Sequence, residues 1–465
     1  MVRPKAGEVR QGEAVMDPII AKHAERRVPR YTSYPTAPHF DDAFPEDAWR
    51  AWLADAPEDA GLSLYLHVPF CKKVCWYCGC NMKLAAREAP VRAYAATLAK
   101  EIALLAAATP AKRVNRIHWG GGTPTALPVD CMRDLMATLR REFDVAVDAE
   151  IAVEIDPRTL EDEMAWALGE LGFTRASLGV QEFDPAVQET INRIQPFETV
   201  RRAVENLRGA GVSAINFDLM YGLPRQTVES IEATVERAVD LGPSRIALFG
   251  YAHVPWMAKN QRMIPEDTLP DAEARFEQAE AAAKLLVQHG YERIGLDHFA
   301  LPSDGLAKAA RQGRLRRNFQ GYTDDQSGWL LPLGSTSIGK TPRGYAQNIA
   351  ETGAWSREVE AGRLPIHKGR PFRGDDLLRG AVIERLMCDM EVDLPATAFA
   401  FGEGPGYFAE TVKALQPFVE DGLVSLEHGR VRVDDRGRPA LRAVAAAFDA
   451  YLESASDKPR HAVAV

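Results

Sequence analysis

The chain has 465 residues, 46% apolar and 26% charged, with 56 Lys and Arg against 65 Asp and Glu for a net charge of −9. This is globular composition, with enough material for one large barrel and an accessory domain. It excludes collagen-like, disordered and disulfide-scaffold classes; no run approaches the ~20 apolar residues of a bilayer span, and the acidic balance argues against nucleic acid as a partner.

The first 30 residues are mildly basic, and read either as a solvated arm or as one that folds over an anionic ligand. The opening MVRPKAGEVRQGEAVMDP has no apolar signal-peptide core, so a cytoplasmic address is expected. Arm and lead-in are assigned to 1–54. From 55 to 352, short apolar runs alternate with helical patterns. Strands are expected at Leu62–Phe70, Arg116–Gly122, Glu150–Pro157, Arg175–Val180, Ala214–Gly222 and Arg245–Ala252. Several look near-continuously apolar, as strands covered on both faces do. Between them Val91, Tyr94, Leu98, Ile102 and Leu105 mark one helix, and Met132, Leu135, Leu139 and Phe143 another. Met164, Leu168 and Leu171, then Val200, Val204 and Leu207, then Ile231, Val235 and Val239 mark three more. This alternation argues for βα units and a parallel sheet; six or more units bring in a barrel, and a barrel or an open α/β sheet alike places its chemistry at the C-terminal ends of the strands. Residues 353–372 are polar and Gly/Pro-containing, and read as a linker. A helical domain is expected at 373–455: one helix carries Leu378, Val382 and Leu386, another Phe408, Val412 and Leu415. A hairpin turns at His428–Gly429, a last helix runs Pro439–Leu452, and 456–465 form a tail. Helices followed by a hairpin resemble a winged-helix module, read here as a lid or packing element because the chain is acidic.

Four of the six cysteines fall within CKKVCWYCGC: Cys71, Cys75, Cys78 and Cys80. Thiols clustered in a large chain of cytosolic character read as metal or redox chemistry. Cys-x3-Cys-x2-Cys after a strand suits an iron–sulfur cluster with three protein ligands and one open iron. A structural zinc site or a closed four-cysteine cluster are the alternatives, and the chain lacks the second cysteine pair of zinc folds. Cys131 and Cys388 read as single buried thiols. Gly120-Gly121-Gly122-Thr123 follows a strand, either as a turn or as backbone that approaches a ligand closely. Glu154 and Asp156 end the third strand, where carboxylates suit ribose hydroxyls.

The motif CKKVCWYC resembles the signature of radical S-adenosylmethionine enzymes, and with Cys80 it resembles the oxygen-independent coproporphyrinogen III oxidases among them. PRYTSYPTAPHF (29–40), SLYLHVPFC (63–71), HWGGGTPT (118–125), VEIDPR (153–158), LGVQEFDPAVQETINR (178–193), INFDLMYGLPRQT (215–227), FGYAHVP (249–255), GLDHFALP (295–302) and RNFQGYT (317–323) resemble that family in the same order. The resemblance implies an incomplete parallel (β/α)6 barrel with an N-terminal arm and a mostly helical, winged-helix-like C-terminal domain. It implies one 4Fe–4S cluster on Cys71, Cys75 and Cys78, with Cys80 not a ligand, and two S-adenosylmethionine molecules. The substrate it implies is coproporphyrinogen III, decarboxylated at two propionates to give protoporphyrinogen IX in haem biosynthesis. An electron donor and an acceptor are required, and the working unit is expected to be a monomer without nucleic acid or membrane.

By the same resemblance the cofactor residues are Tyr65, Tyr77, Gly121, Gly122, Thr123, Glu154, Gln181, Arg193, Asp218, Ala252 and Ile338. Ala252 and Ile338 would act through backbone or van der Waals surface, and the Ser- and Thr-rich SGWLLPLGSTSIGKTP departs from the family pattern around Ile338. Arg30 and Gln320 are placed in the catalytic set, Arg30 as a partner for substrate carboxylates. His253 and His298 are assigned no role. Besides a zinc-stabilised α/β regulator whose winged-helix end binds DNA, against which the charge argues, two rivals stand beside this reading. One is a haem-carrying paralogue, whose relatives lack the Cys80-type cysteine and much of the PRYTSYP segment; the other is a radical methyltransferase that opens the haem ring.

Overall fold

The computed structural model describes residues 18–24, 26 and 28–452. The first 17 residues of the basic arm and the 456–465 tail lie outside the described residues. Six parallel strands stand in chain order in one sheet: β1 (Leu62–Val68), β2 (Arg113–Gly121), β3 (Asp144–Ile155), β4 (Arg175–Gln181), β5 (Ala214–Tyr221) and β6 (Arg245–Gly250). The connections carry α1 (Glu88–Ala108), α2 (Val129–Glu142), α3 (Asp162–Glu170), α4 (Phe197–Gly209) and α5 (Val228–Asp240). Each expected strand and helix of the barrel is present. α6 (Ala272–Gln288) follows β6.

The strands alternate rather than running apolar throughout. Leu62, Leu64, Leu66 and Val68 of β1, Ile117 and Trp119 of β2, and Ile215, Phe217 and Leu219 of β5 are buried in one core with the apolar stripes of the helices. The intervening residues are polar: Ser63, Arg116, His118, Glu150, Glu154, Arg175, Ser177, Asn216, Asp218 and Arg245. They line one cavity of ≈ 210 Å³ to which all six strands contribute. A flat sheet could not bring six strands around one cavity, so the sheet is wrapped, with period two separating its helix face from its lumen. The expectation of strands apolar on both faces is therefore corrected: the lumen face is polar.

The barrel is incomplete. β1 pairs in parallel with Trp329–Leu333, and antiparallel strands Ile338–Thr341, Gly344–Asn348 and Ile366–Pro371 extend the sheet outward. β6 pairs antiparallel with His298–Ala300. This extension overturns the linker reading of 353–372. Thr352–Glu360 is a helix with Trp355 and Val359 buried in the barrel core, and Ile366–Pro371 is a sheet strand paired with residues 41–42. Its buried residues are too few and too widely spaced to stand out from the polar background. The lead-in helix Glu46–Ala54 likewise buries Trp49, Trp52 and Leu53 in that core.

The C-terminal domain combines helix Asp376–Asp389 with a three-stranded sheet of Glu391–Asp393, Arg430–Val433 and Val424–Glu427. The expected final helix is shorter than read, a 3-10 turn at Arg438–Ala440 followed by α-helix over Leu441–Ala446. Val28, Tyr31 and Tyr34 of the arm share a core with Leu378, Val382, Phe418 and Phe448 of this domain, and with Phe276 of α6. Tyr31 donates to Asp449 at 3.1 Å, and Arg442 donates to the carbonyl of Pro29 at 3.2 Å.

Candidate active site at the barrel rim

The cysteine loop leaves the end of β1 and is tied down by amides from distant segments. Asn260 Nδ2 donates to the carbonyls of Cys75, Trp76 and Cys78 at 3.0, 3.1 and 2.8 Å. Gln261 Nε2 donates to Tyr77 O at 2.8 Å and Ala252 O at 3.2 Å, and Asn192 Nδ2 to Val74 O at 2.8 Å. These side chains satisfy loop carbonyls that would otherwise need water. Sequence reasoning missed all three. Asn260 and Gln261 sit in a loop with no motif; Asn192 precedes Arg193, which offered the one available signal.

The glycine triplet clamps the other side. Gly122 N and Thr123 N donate to Val68 O and Phe70 O at 2.9 and 2.7 Å. A Cβ on Gly121, at φ +112°, would collide with the His67 ring, and one on Gly120 would meet Glu154. Thr123 Oγ1 lies 3.5 Å from Cys71 Sγ. Burial raises the Cys71 thiol to about 11; the Thr123 hydrogen bond lowers it, and the neighbouring Cys78 and Cys75 thiols raise it further.

Cys75 is buried and takes two guanidinium hydrogen bonds at Sγ, from Arg158 at 3.1 Å and Arg193 at 3.2 Å. Asp156 holds both arginines, Arg158 at 2.6 Å and Arg193 at 3.4 Å. Burial works to raise the Asp156 carboxyl, but Arg193 and then Arg158 hold it below its ordinary value. Asp156 thus orients two guanidinium groups against the Cys75 sulfur. Arg158, inside VEIDPR, is a further residue the sequence reading left out. Cys80 is exposed and donates its backbone N–H to Cys78 Sγ at 3.4 Å. The Cys80 thiol first, then this N–H and the charge of Arg193, draw the Cys78 thiol down to about 7 against burial.

Two groups of candidate cofactor residues surround the loop. At the ends of β1–β3, Tyr65 stacks on His118 at 5.8 Å between ring centroids, and Glu154 accepts from His118 at 3.1 Å and from Gly121 N at 3.0 Å. Burial would raise Glu154, but His118 and the Gly121 N–H hold it below the usual carboxylate range. At β4–β6, Gln181 adopts φ +68° where the β4–β5 register shifts, a left-handed backbone unusual for a side-chain-bearing residue. Asp218 accepts from Ser177 at 3.1 Å and Asn216 at 2.9 Å, and burial followed by the charge of Glu154 pushes it up to about 6. Ala252 sits just past β6, and Tyr77 packs with Trp76 beside a cluster containing Tyr251 and Ile264. Ile338 stands apart, on the antiparallel extension, and lines neither large cavity.

Gln320 lines the lumen cavity, whereas Arg30 lines a second one of ≈ 320 Å³ beyond β5 and β6. Phe249 borders both. Among the described residues no three His, Cys, Asp or Glu side chains close on the position of a single metal ion. A four-iron cluster instead takes each thiolate at a separate corner, and three thiols from one short loop, one of them already held by two guanidinium groups, suit it.

A six-stranded incomplete barrel with a Cys-x3-Cys-x2-Cys loop at its rim is the architecture of a radical S-adenosylmethionine enzyme, and the model of the radical SAM superfamily matches residues 65–238. The model of the HemN C-terminal domain matches residues 373–440. The chain is 48% identical to an oxygen-independent coproporphyrinogen III oxidase of Bradyrhizobium diazoefficiens, covering 94% of this chain and 97% of that one. It is 45% identical to one of Paracoccus denitrificans over 93% and 96% of the two chains. The solved coproporphyrinogen III oxidase (HemN) of Escherichia coli superposes with a TM-score of 0.87 at 38% identity, covering 92% of this chain and all of that one. The chain belongs to the family of oxygen-independent coproporphyrinogen III oxidases. Membership implies a 4Fe–4S cluster and S-adenosylmethionine. Among the described residues no helix is long and apolar enough to cross a membrane.

Proposed function

We propose that the chain converts coproporphyrinogen III to protoporphyrinogen IX without oxygen, decarboxylating two propionates to vinyls. Each propionate loses one hydrogen atom, carbon dioxide and one electron, the last to an acceptor outside the chain. The observation that carries the reading is the fork of Arg158 and Arg193 on Cys75 Sγ, in a chain that also holds a cavity lined with arginines beyond β5 and β6. When bound on Cys71, Cys75 and Cys78, the cluster would supply reducing power and S-adenosylmethionine the hydrogen-abstracting chemistry.

The chain's own residues do the positioning. Cys71, Cys75 and Cys78 hold three corners of the cluster and leave the fourth for the cofactor. Glu154 and Asp218, at the ends of β3 and β5, accept from ribose hydroxyls, and Arg193 pairs with a cofactor carboxylate. Two S-adenosylmethionine molecules are what the family resemblance implies for these residues. Tyr65, Tyr77, Gly121, Gly122, Thr123, Gln181 and Ala252 complete the two groups; Ile338 would join only by reaching in from the extension. Gln320 faces the reaction from the lumen side. The barrel carries the chemistry, and the arm with the C-terminal domain closes over it. The working unit is a cytoplasmic monomer served by a separate electron donor and acceptor.

Anaerobic turnover tests this. Reconstituted protein, reductant, S-adenosylmethionine and coproporphyrinogen III should give protoporphyrin fluorescence after oxidation, and Cys75→Ser should abolish it together with 5′-deoxyadenosine. Formation of 5′-deoxyadenosine without protoporphyrin, with an electron acceptor supplied, would overturn the substrate.

A further inference from the structure

The ≈ 320 Å³ cavity is lined by Arg30, Arg275, Arg293, Arg317 and Arg442, against two carboxylates, Glu280 and Asp297. Both carboxylates are committed. Glu280 pairs with Arg293 at 3.0 Å, and Asp297 with His298 at 2.7 Å, with Arg317 farther off at 3.9 Å. Even with Arg442 set aside, the cavity holds more cation than its own acids offset. Its remaining wall is apolar and aromatic, including Phe249, Tyr251, Leu269, Phe276 and Leu296. Apolar walls with a few fixed charges are what a carboxylate-bearing ring system needs.

Arg275 is the group hardest to explain by stability. It is half-buried, and its guanidinium lies 5.8 Å from the Tyr221 ring centroid, with no carboxylate in ion-pair range among the described residues. It sits in the first turns of α6, after the Asp271 cap, where the helix dipole disfavours a cation. Burial and the nearby Arg30 push it below the ordinary guanidinium value, though Tyr221 works the other way. Room is made for it by Gly222 at φ +76°, where a Cβ would collide with the Arg275 guanidinium. An uncompensated cation that is held in a cavity, against a dipole, by a glycine is arranged for an incoming anion.

We infer that Arg275, seconded by Arg30, is the carboxylate anchor of the substrate cavity and fixes a non-reacting propionate while another is presented to the reaction centre. The inference rests on the proposed reaction and deepens it. Arg30 donates to Gly250 O at 3.4 Å at the end of β6 and lies on the arm, so the second anchor arrives with the segment that borders the cavity. A planar, bidentate fork suits a carboxylate better than an ammonium does.

The test measures two things on the full chain. First, binding of coproporphyrin III, the oxidised and fluorescent tetracarboxylate, is titrated without reductant for wild type, Arg275→Gln and Arg275→Lys. Wild type should bind, Arg275→Gln should lose tenfold to a hundredfold, and Arg275→Lys should recover part. Second, anaerobic kinetics should show KM raised by the same factor in Arg275→Gln with kcat within threefold. Circular dichroism and Tm identify a variant that fails to fold, in which case Arg275→Lys carries the comparison and must weaken binding at least threefold. Equal binding by wild type and the folded variants overturns the anchor even if turnover is normal. Wild type that binds through Arg275 but gives no protoporphyrin overturns the reaction and leaves the anchor standing. Wild type that does not bind coproporphyrin III overturns the anchor.

Discussion

Two sets of arginines share this molecule and are held in opposite ways. On the lumen side, Arg116, Arg175 and Arg245 lie in a ring of acids: Arg116 with Glu150 at 2.9 Å and Asp324 at 2.8 Å, Arg175 with Glu150 at 3.2 Å, Arg245 with Asp304 at 2.5 Å. In the outer cavity, Arg275 has no acid within ion-pair range among the described residues. What separates structural from binding cations is whether the fold supplies the counter-charge or leaves it to a ligand.

The sharpest break in that comparison is Arg245→Met. It strands Asp304, only 3% exposed, without its closest cation, and should cost about 3–5 kcal/mol in urea unfolding. Loss of under 1 kcal/mol would mean the lumen network does not need its charges.

Next is Glu101, a buried acid with no cation among its hydrogen-bond partners. It accepts from Gly334 N at 2.7 Å, Asn348 Nδ2 at 2.6 Å and Trp355 Nε1 at 3.1 Å, and burial outweighs these donors to push it up to about 7. Because its folded value lies above its unfolded one, the carboxyl is protonated in both states at low pH. Stability is then lost as pH rises from about 4.5 through about 7. Glu101→Gln should flatten that slope, worth on the order of 3 kcal/mol at pH 8. An unchanged slope would show that Glu101 is not its source.

A smaller effect sharpens the contrast: Arg275→Gln should leave Tm at or above wild type, since the cation it removes has no folded-state ion-pair partner among the described residues. A clear fall in Tm would make Arg275 structural. The smallest is Arg201→Ala, whose pairs with Glu198 and Glu205 are exposed, and which should leave Tm unchanged within error.

The barrel was legible because its signals are local. The strands show as short apolar runs, several ending in Gly or Pro, and each helix has one apolar stripe. The cysteine loop was legible because Cys71, Cys75 and Cys78 lie within eight residues. What escaped depends on contacts between distant segments. Asn260 and Gln261 anchor a loop more than 180 residues away, and Arg275 gains its meaning from Gly222 and from acids that are absent around it among the described residues. The 353–372 segment escaped because an edge strand such as IHKGRP needs little apolar content, being held by its ladder to Gly344–Asn348. The lumen face was misjudged because aromatic and small residues such as Tyr65, Ala152 and Ala247 blur a two-residue alternation.

The hydrogen bond from Arg442 to Pro29 spans 413 positions of the chain. With Val28, Tyr31 and Tyr34 packed into the C-terminal core, the arm gains its anchorage only after nearly all of the polypeptide has left the ribosome. The barrel can therefore form during synthesis while its outer cavity is still unfinished. The arm's share of the outer cavity wall, Arg30 included, is thus the last part of the fold to be fixed.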